Sequence, residues 1–342
     1  MAWLISWHYI ITGVHALTGP TGLALYARHP ELQMGPLTFL LSAPFVQLGR
    51  PADELAATAA MEALGLLAVA ALAAFVDRAT RAGRIRWLLA GAGVLLGWQL
   101  LAVSFGHPDD ALALLGVVLG FRSLRRDAPL RAALAFGLAI DCKPWVVPVV
   151  LVLAGAPRGT RLRAAAIVAA TVALVWLPFV LQPGAIDHVS RFTIVVAPTS
   201  TIHLLGLAGP RTPPWCRPAQ LLVGAVAVAI VTARRRPEAA LLAVVAVRLL
   251  LDPGTHDYYE AGLLLGTALL DLRARLPIAT AIAVVGVHLP PDVPSHVVLA
   301  QAVLRAGSLA AVLLLALLVP LRPDAGEGAP PQRTRAAEPL LA

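Results

Sequence analysis

Lysine is nearly missing from this chain. Of its 27 basic residues only Lys143 is a lysine, and all the others are arginine. Charge of either sign is scarce: 13% of the 342 residues are charged and 58% are hydrophobic. A soluble domain carries about 25% charged residues, so an ordinary soluble domain is excluded. Cysteine occurs only at Cys142 and Cys216, which gives neither a disulfide framework nor a metal spacing. No P-loop, GxSxG, HExxH or Rossmann fingerprint is present, which argues against an ATP-driven machine built from this chain alone. The start, MAWLISWHYIITGVHAL, lacks a basic n-region and a small-residue cleavage site, and so does not read as a signal peptide.

What is abundant is apolar sequence. Long runs rich in Ala, Leu and Val recur from end to end and do not alternate with polar residues, which favours helices over a barrel. The expected fold is an all-α polytopic membrane protein of about 10–13 transmembrane or half-span helices, a single domain over 1–320. The net charge of +8 would point to nucleic acid, but the arginines fall in short loops: 77–86, 121–131, 157–163, 233–237 and 271–275. By the positive-inside rule these loops face the cytoplasm, which places the chain in the plasma (inner) membrane and argues for no nucleic-acid partner. Residues 321–342, rich in Pro, Gly and charge, read as a disordered cytoplasmic tail.

The expected spans are Leu55–Val76, Trp87–Phe105, Ala111–Phe121, Ala164–Leu181, Leu221–Thr232, Pro277–Val287 and Val297–Val319. Residues 132–156 and 238–270 each begin and end at arginine loops of one side, so each must be a hairpin of two short helices. Their turns are IDCKPW (140–145) and LLDPGTHDYYE (250–260). An arm of about 11 residues rises roughly 16 Å, about half of a hydrocarbon core. Such tips would sit deep, where irregular backbone is tolerated only inside protein or water, and a water-filled bowl open to the outside is expected. All nine histidines and most acids fall in or beside segments assigned to the outer side, so any chemistry belongs there. The outer loops are 18–54 and 183–215. The first contains PLTFLLSAPFVQL, which reads as an amphipathic surface helix; the apolar middle of the second reads as a half-inserted lid.

Lys143 has two readings: an interfacial lysine snorkelling to water, or a cation for a phosphate or carboxylate, with Asp141 as its resting partner. The second turn offers Asp252, His256, Asp257, Tyr258, Tyr259 and Glu260, either as a wet loop with an aromatic anchor pair or as a sugar- or phosphate-binding rim. Asp252, His256 and Asp257 could hold a divalent metal but lack any diagnostic spacing, so no cofactor is assigned. Arg248, inside an apolar arm, is a site candidate because intramembrane arginine is costly. Asp109 and Asp110 of GHPDD read first as helix caps. Glu31 and His29 read first as solvated loop residues, and Asp187, His188, Arg191 and His203 lie in the second outer loop.

In order, LYARHPELQMGPLTFLLSAPFVQLG (25–49), GHPDDALALLGVVLG (106–120) and AALAFGLAIDCKPWVVPVVLVL (132–153) resemble the GT-C superfamily of integral-membrane glycosyltransferases, closest to its bacterial mannosyltransferase-like branch. The resemblance covers roughly residues 20–180; the C-terminal half matches only as a series of spans with a polar outer hairpin. It implies a GT-C-like fold with juxtamembrane loop helices, a polyprenyl-phosphate-linked sugar as donor, a lipid or glycan acceptor, and contact with membrane lipid. It further implies a mannose-like hexose transferred at the outer face by direct displacement with inversion. Lys143 would meet the donor phosphate, with Arg248 and Arg191 as further cations; Asp109, Asp110, Asp141, His256, Asp257 and Tyr258 would line the substrate. The family places its base, an aspartate, after its first helix, whereas ISWHYIITG (5–13) holds Ser6 and His8 and no acid. Three explanations fit: a start truncated relative to the family, Glu31 in the base role, or an inactive relative. A secondary transporter is the alternative of another class, since paired interrupted hairpins are its signature.

Overall fold

The computed structural model describes residues 4–186, 193–274, 277–289 and 297–320, and every regular element among them is a helix. The helices are α1 (Trp7–Thr18), α2 (Leu25–Arg28), α3 (Pro36–Val46), α4 (Ala52–Leu72), α5 (Arg81–Gln99), α6 (Pro108–Leu124), α7 (Pro129–Cys142) and α8 (Arg158–Val180). They continue as α9 (Thr201–Leu204), α10 (Cys216–Ala233), α11 (Ala240–Leu250), α12 (Glu260–Arg273), α13 (Ala279–Ala283) and α14 (Val298–Leu318). A 3₁₀ helix covers Pro144–Gly155, and π-helical turns extend α5 over Leu100–Phe105 and α13 over Val284–His288. Five helices are long and apolar enough to cross a membrane: Ala52–Phe75, Arg81–Phe105, Arg158–Val180, Cys216–Ala233 and Val298–Leu318. They overlap the five long spans expected from the sequence, with ends that differ by up to six residues. The tail 321–342 and residues 187–192 of the second outer loop, Asp187, His188 and Arg191 among them, lie outside the described residues.

Burial sorts the helices into core and rim. In α8 only Ala164 and Phe179 are buried, so its apolar surface faces outward along its length. In α11 and α12 almost every residue is buried. These are the arms of the second hairpin, and they form the centre of the bundle. A helix apolar all round belongs in such a place.

Two small-residue pairs let the central helices approach closely. In α6, Gly116 faces α7, where an added Cβ would stand 3.0 Å from Ala139 Cβ and 3.1 Å from Ala135 O, and Gly120 lies against the Phe136 ring. In α12, Gly262 faces Val245 and Gly266 faces the backbone of Leu242. Both pairs have the four-residue spacing that brings helix backbones together where no hydrophobic drive separates protein from lipid.

At one end of the bundle the arginine loops meet. Arg125 donates to Ala74 O at 3.1 Å and to Glu238 at 3.2 Å, and Arg273 lies 3.9 Å from the same carboxylate. Arg234 and Arg236 donate to Leu317 O at 2.8 and 2.7 Å, closing the last turn of α14. Those carbonyls have no partner within the helix.

The helix expected at 36–48 forms over Pro36–Val46, but it is not amphipathic, because its buried face mixes polar and apolar residues. Thr38, Phe39 and Ser42 point inward, while Leu40 and Leu41 are exposed. The reason is a polar contact on the inside: Thr38 donates to Cys142 O at 3.3 Å, and Gly35 N to the same oxygen at 2.8 Å. The helix therefore clips the first outer loop to the tip of the first hairpin.

The Gly266 approach gives a direct test. A Cβ there would lie 2.8 Å from Leu242 Cα and 2.9 Å from its N. Gly266→Ala is expected to lower the thermal midpoint of the purified protein by an overpacking cost of about 1–3 kcal/mol. Gly307→Ala, where nothing stands within 4 Å, is expected to be neutral or stabilising. Equal midpoints for the two variants would refute the close-packing account.

Candidate functional site

The first hairpin breaks at Lys143 because proline follows it. Pro144 disfavours helical backbone in the residue before it, and Lys143 is extended at φ −148, ψ 107. Helix α7 therefore ends at Cys142, and the Lys143 side chain leaves the hairpin tip toward α6. There Gly106, with φ +67, makes the left-handed turn that ends the π segment, and Pro108 opens α6. This GHPDD turn delivers His107, Asp109 and Asp110 to the same place. The Lys143 ammonium hydrogen-bonds Asp109 and lies 3.3 Å from Asp110. His107 Nδ1 stands 3.3 Å from the other oxygen of Asp109, and Trp145 Nε1 donates to Asp110 at 2.9 Å.

The second hairpin closes the cluster from the other side. Arg248 Nη1 is 3.9 Å from Asp110, and its guanidinium lies over the rings of Tyr259 at 4.2 Å and Trp145 at 5.1 Å. Tyr258 stacks on His107 at 3.8 Å and packs on Phe105 at 5.2 Å and Tyr259 at 4.4 Å. Two cations thus face two carboxylates, and all four are buried. Opposite charges this close in a medium of low dielectric keep one another ionised, whereas removing one leaves its partner stranded.

Asp252 has a different task. One oxygen accepts from Gly254 N at 2.9 Å, and the other lies 3.4 Å from both Gln220 Nε2 and Arg217 Nη1. It shapes the Asp-Pro-Gly turn. Burial pushes the neighbouring His256 imidazole below its usual pKa, and the Asp252 carboxylate opposes that shift without cancelling it. The second outer loop docks on this turn: Ala197 N donates to Pro253 O at 2.8 Å, and Thr199 and Thr255 share a hydrogen bond of 2.9 Å.

Several expectations are corrected. Asp141 is not the partner of Lys143. Its carboxylate is fully buried and neither oxygen has a hydrogen-bond partner; side chains two apart at a helix end do not face each other. Asp109 and Asp110 are not helix caps, since α6 has no side-chain cap; they bind cations instead. Tyr258 and Tyr259 are not an interfacial anchor pair but packed inner rings. Between the described residues of the two tips there is little room for the expected water-filled bowl. The space bounded by Asp110, Trp145, Arg248, Tyr258, Tyr259 and Gly262 leaves about 10 Å³ for the centre of a water molecule, room for about one. The aromatic residues of the second turn fill it.

Glu31 is half-exposed and pairs with His29 at 3.1 Å. Its loop is held beside Lys143 by the Gly35 and Thr38 bonds to Cys142 O. Arg191 lies outside the described residues. Asp257 and His256 sit in the second turn, with His256 stacked on Tyr258 at 5.7 Å. His107 and Trp145 complete the cluster; both were visible in the quoted turns, but nothing in their spacing marks them as partners. Among the described residues the group suited to a cation is His107, Asp109 and Asp110, whose ligand atoms lie within 4.8 Å of one another. Lys143 already contacts both aspartates there, so a metal would have to displace its ammonium.

Comparison with known proteins finds no matching family model, curated protein or solved structure.

The ion network makes a double-mutant prediction. Asp109→Leu alone is expected to destabilise the protein by about 3–5 kcal/mol, because Lys143 loses its closest counter-charge inside the bundle. Combining it with Lys143→Met should restore much of that loss. Additive losses in thermal unfolding of the four proteins would show that the two side chains do not interact.

Proposed function

We propose that the protein is a GT-C-like membrane glycosyltransferase, moving a mannose-like hexose from a polyprenyl-phosphate donor to a lipid or glycan acceptor at the outer face of the plasma membrane. The observation that carries this reading is the meeting of both hairpin tips on Asp110. It gathers a lysine, an arginine, two carboxylates and a wall of aromatic rings in one buried place. Cations suit a phosphodiester, and aromatic faces with carboxylates suit a sugar. The arginine-rich loops at the opposite end of the helices support an outward-facing site by the positive-inside rule.

In this proposal the donor phosphate takes over the charge of Lys143 and Arg248, and Asp109 and Asp110 hold the two cations in place before it arrives. Arg191 of the second outer loop adds a further cation. Asp141, with both oxygens free, is available to sugar hydroxyls, as are His256, Asp257 and Tyr258 at the second turn. Glu31 accepts the proton of the acceptor hydroxyl as its oxygen attacks the anomeric carbon. The bond from that carbon to the phosphate oxygen breaks, and the released negative charge stays on a phosphate held by preorganised donors. The sugar inverts. No metal enters this sequence of steps.

The meeting of two interrupted hairpins also fits a secondary transporter. The two readings part in a single experiment. Purified protein in lipid is given a radiolabelled polyprenyl-phosphate hexose and a membrane-lipid extract as acceptor. Lys143→Met and Arg248→Met are each expected to cut product formation by about 10²-fold or more, and Glu31→Gln by about 10²-fold. No product from wild type, together with substrate-dependent protection of Lys143 from a reagent applied to the cytoplasmic side, would replace the enzyme with a transporter.

A further inference from the structure

A second buried cation lies in the C-terminal half. Helix α14 buries one stripe, formed by Ala302, Arg305, Leu309, Val312 and Ala316. The alternating three- and four-residue steps make this the face turned to the bundle. Four of the five are apolar, and the fifth is an arginine only 8% exposed. An arginine on a lipid-facing stripe could snorkel to an interface; this one is turned away from lipid, towards the second hairpin. Helix α14 packs against α11 of that hairpin and also against the π turn, where a Cβ on Gly286 would collide with Ser308, one turn along the helix from Arg305.

Arg305 has no hydrogen bond and no ion pair among the described residues, and its Nη2 is buried without a partner. The carboxylates that attract it through space are Glu260, Asp257 and Asp252, and none of the three is free. Glu260 is bonded to His288 at 2.7 Å, and Asp252 is held by Gln220, Arg217 and Gly254 N. A buried guanidinium left with donors to spare is costly unless something outside the chain satisfies them. On α9, next to α14, Thr201 Oγ1 and His203 Nδ1 are likewise buried without partners.

We propose that Arg305 anchors a second oxyanion site, distinct from the Lys143–Asp110–Arg248 cluster, which takes a phosphate group. The planar fork of a guanidinium matches phosphate oxygens and binds them through paired hydrogen bonds. The phosphate arrives either as the headgroup of an anionic lipid or as the free ion. This site does not depend on the glycosyltransferase reading; its ligand would be held whether or not sugar is transferred.

The test uses the full chain, purified, with two probes. Inorganic phosphate is titrated in detergent at constant ionic strength, and thermal stability is read. Separately, the protein is placed in phosphatidylcholine nanodiscs with or without phosphatidylglycerol, and retained lipid is counted by native mass spectrometry. Wild type is expected to respond to at least one probe. Arg305→Gln is expected to lose that response, and Arg305→Lys, which keeps the charge but not the fork, to bind about tenfold more weakly. A response to phosphate identifies the free ion, and retention of phosphatidylglycerol alone identifies a headgroup. Should Arg305→Gln fail to fold, Arg305→Lys decides the matter. No response in wild type to either probe, or a response unchanged in the lysine variant, overturns the proposal.

Discussion

Asp110 touches both halves of the molecule. One oxygen takes the Trp145 indole and faces Arg248, and the other faces Lys143. The two hairpins are separated by more than eighty residues of chain, and this carboxylate is where their tips are joined. Hydrophobic packing alone could slide one tip past the other at little cost, because leucine and valine contacts are non-directional. An ion pair in a dry interior allows no such slippage, since a shifted partner leaves a bare charge. The position of Asp110 in turn depends on the GHPDD turn and on the glycine pairs that set the spacing of α6 from α7 and of α12 from α11.

The same logic explains why the site is nearly closed. Four charges and five rings fill the volume between the tips, with room for about one water. A ligand must therefore exchange partners with the protein rather than occupy an empty bowl. Lys143 and Arg248 remain charged at rest because they are paired, so their charge is available to an arriving anion without any proton transfer. Arg305 differs: among the described residues no carboxylate forms an ion pair with it, and its Nη2 is buried without a partner.

Much of the architecture was legible in the sequence. Runs of Ala, Leu and Val long enough to span a bilayer read as helical spans, because lipid leaves backbone polar groups no outside partner and the runs do not alternate as barrel strands do. Both hairpins were legible from the arginine loops that bracket them, and both breaks from proline: Pro144 after Lys143 and Pro253 in the Asp-Pro-Gly turn. Less legible were the elements with weak signatures. Helix α1 carries no such signature, and α3 buries Thr38 beside Phe39 because Thr38 and Gly35 N meet one carbonyl oxygen, that of Cys142.

Local chemistry along the chain was sufficient to say that the protein is helical, that it is built for a membrane, and that its lone lysine stands at a helix break. It could not say what that lysine touches. Asp141, two residues away, was the obvious partner by proximity in sequence, yet the ammonium reaches Asp109 and Asp110, carried in from another helix. Only the packing of α6 against α7 and α12 could decide that, because the energy of a charge pair depends on distance and burial in space, and neither is written in sequence separation.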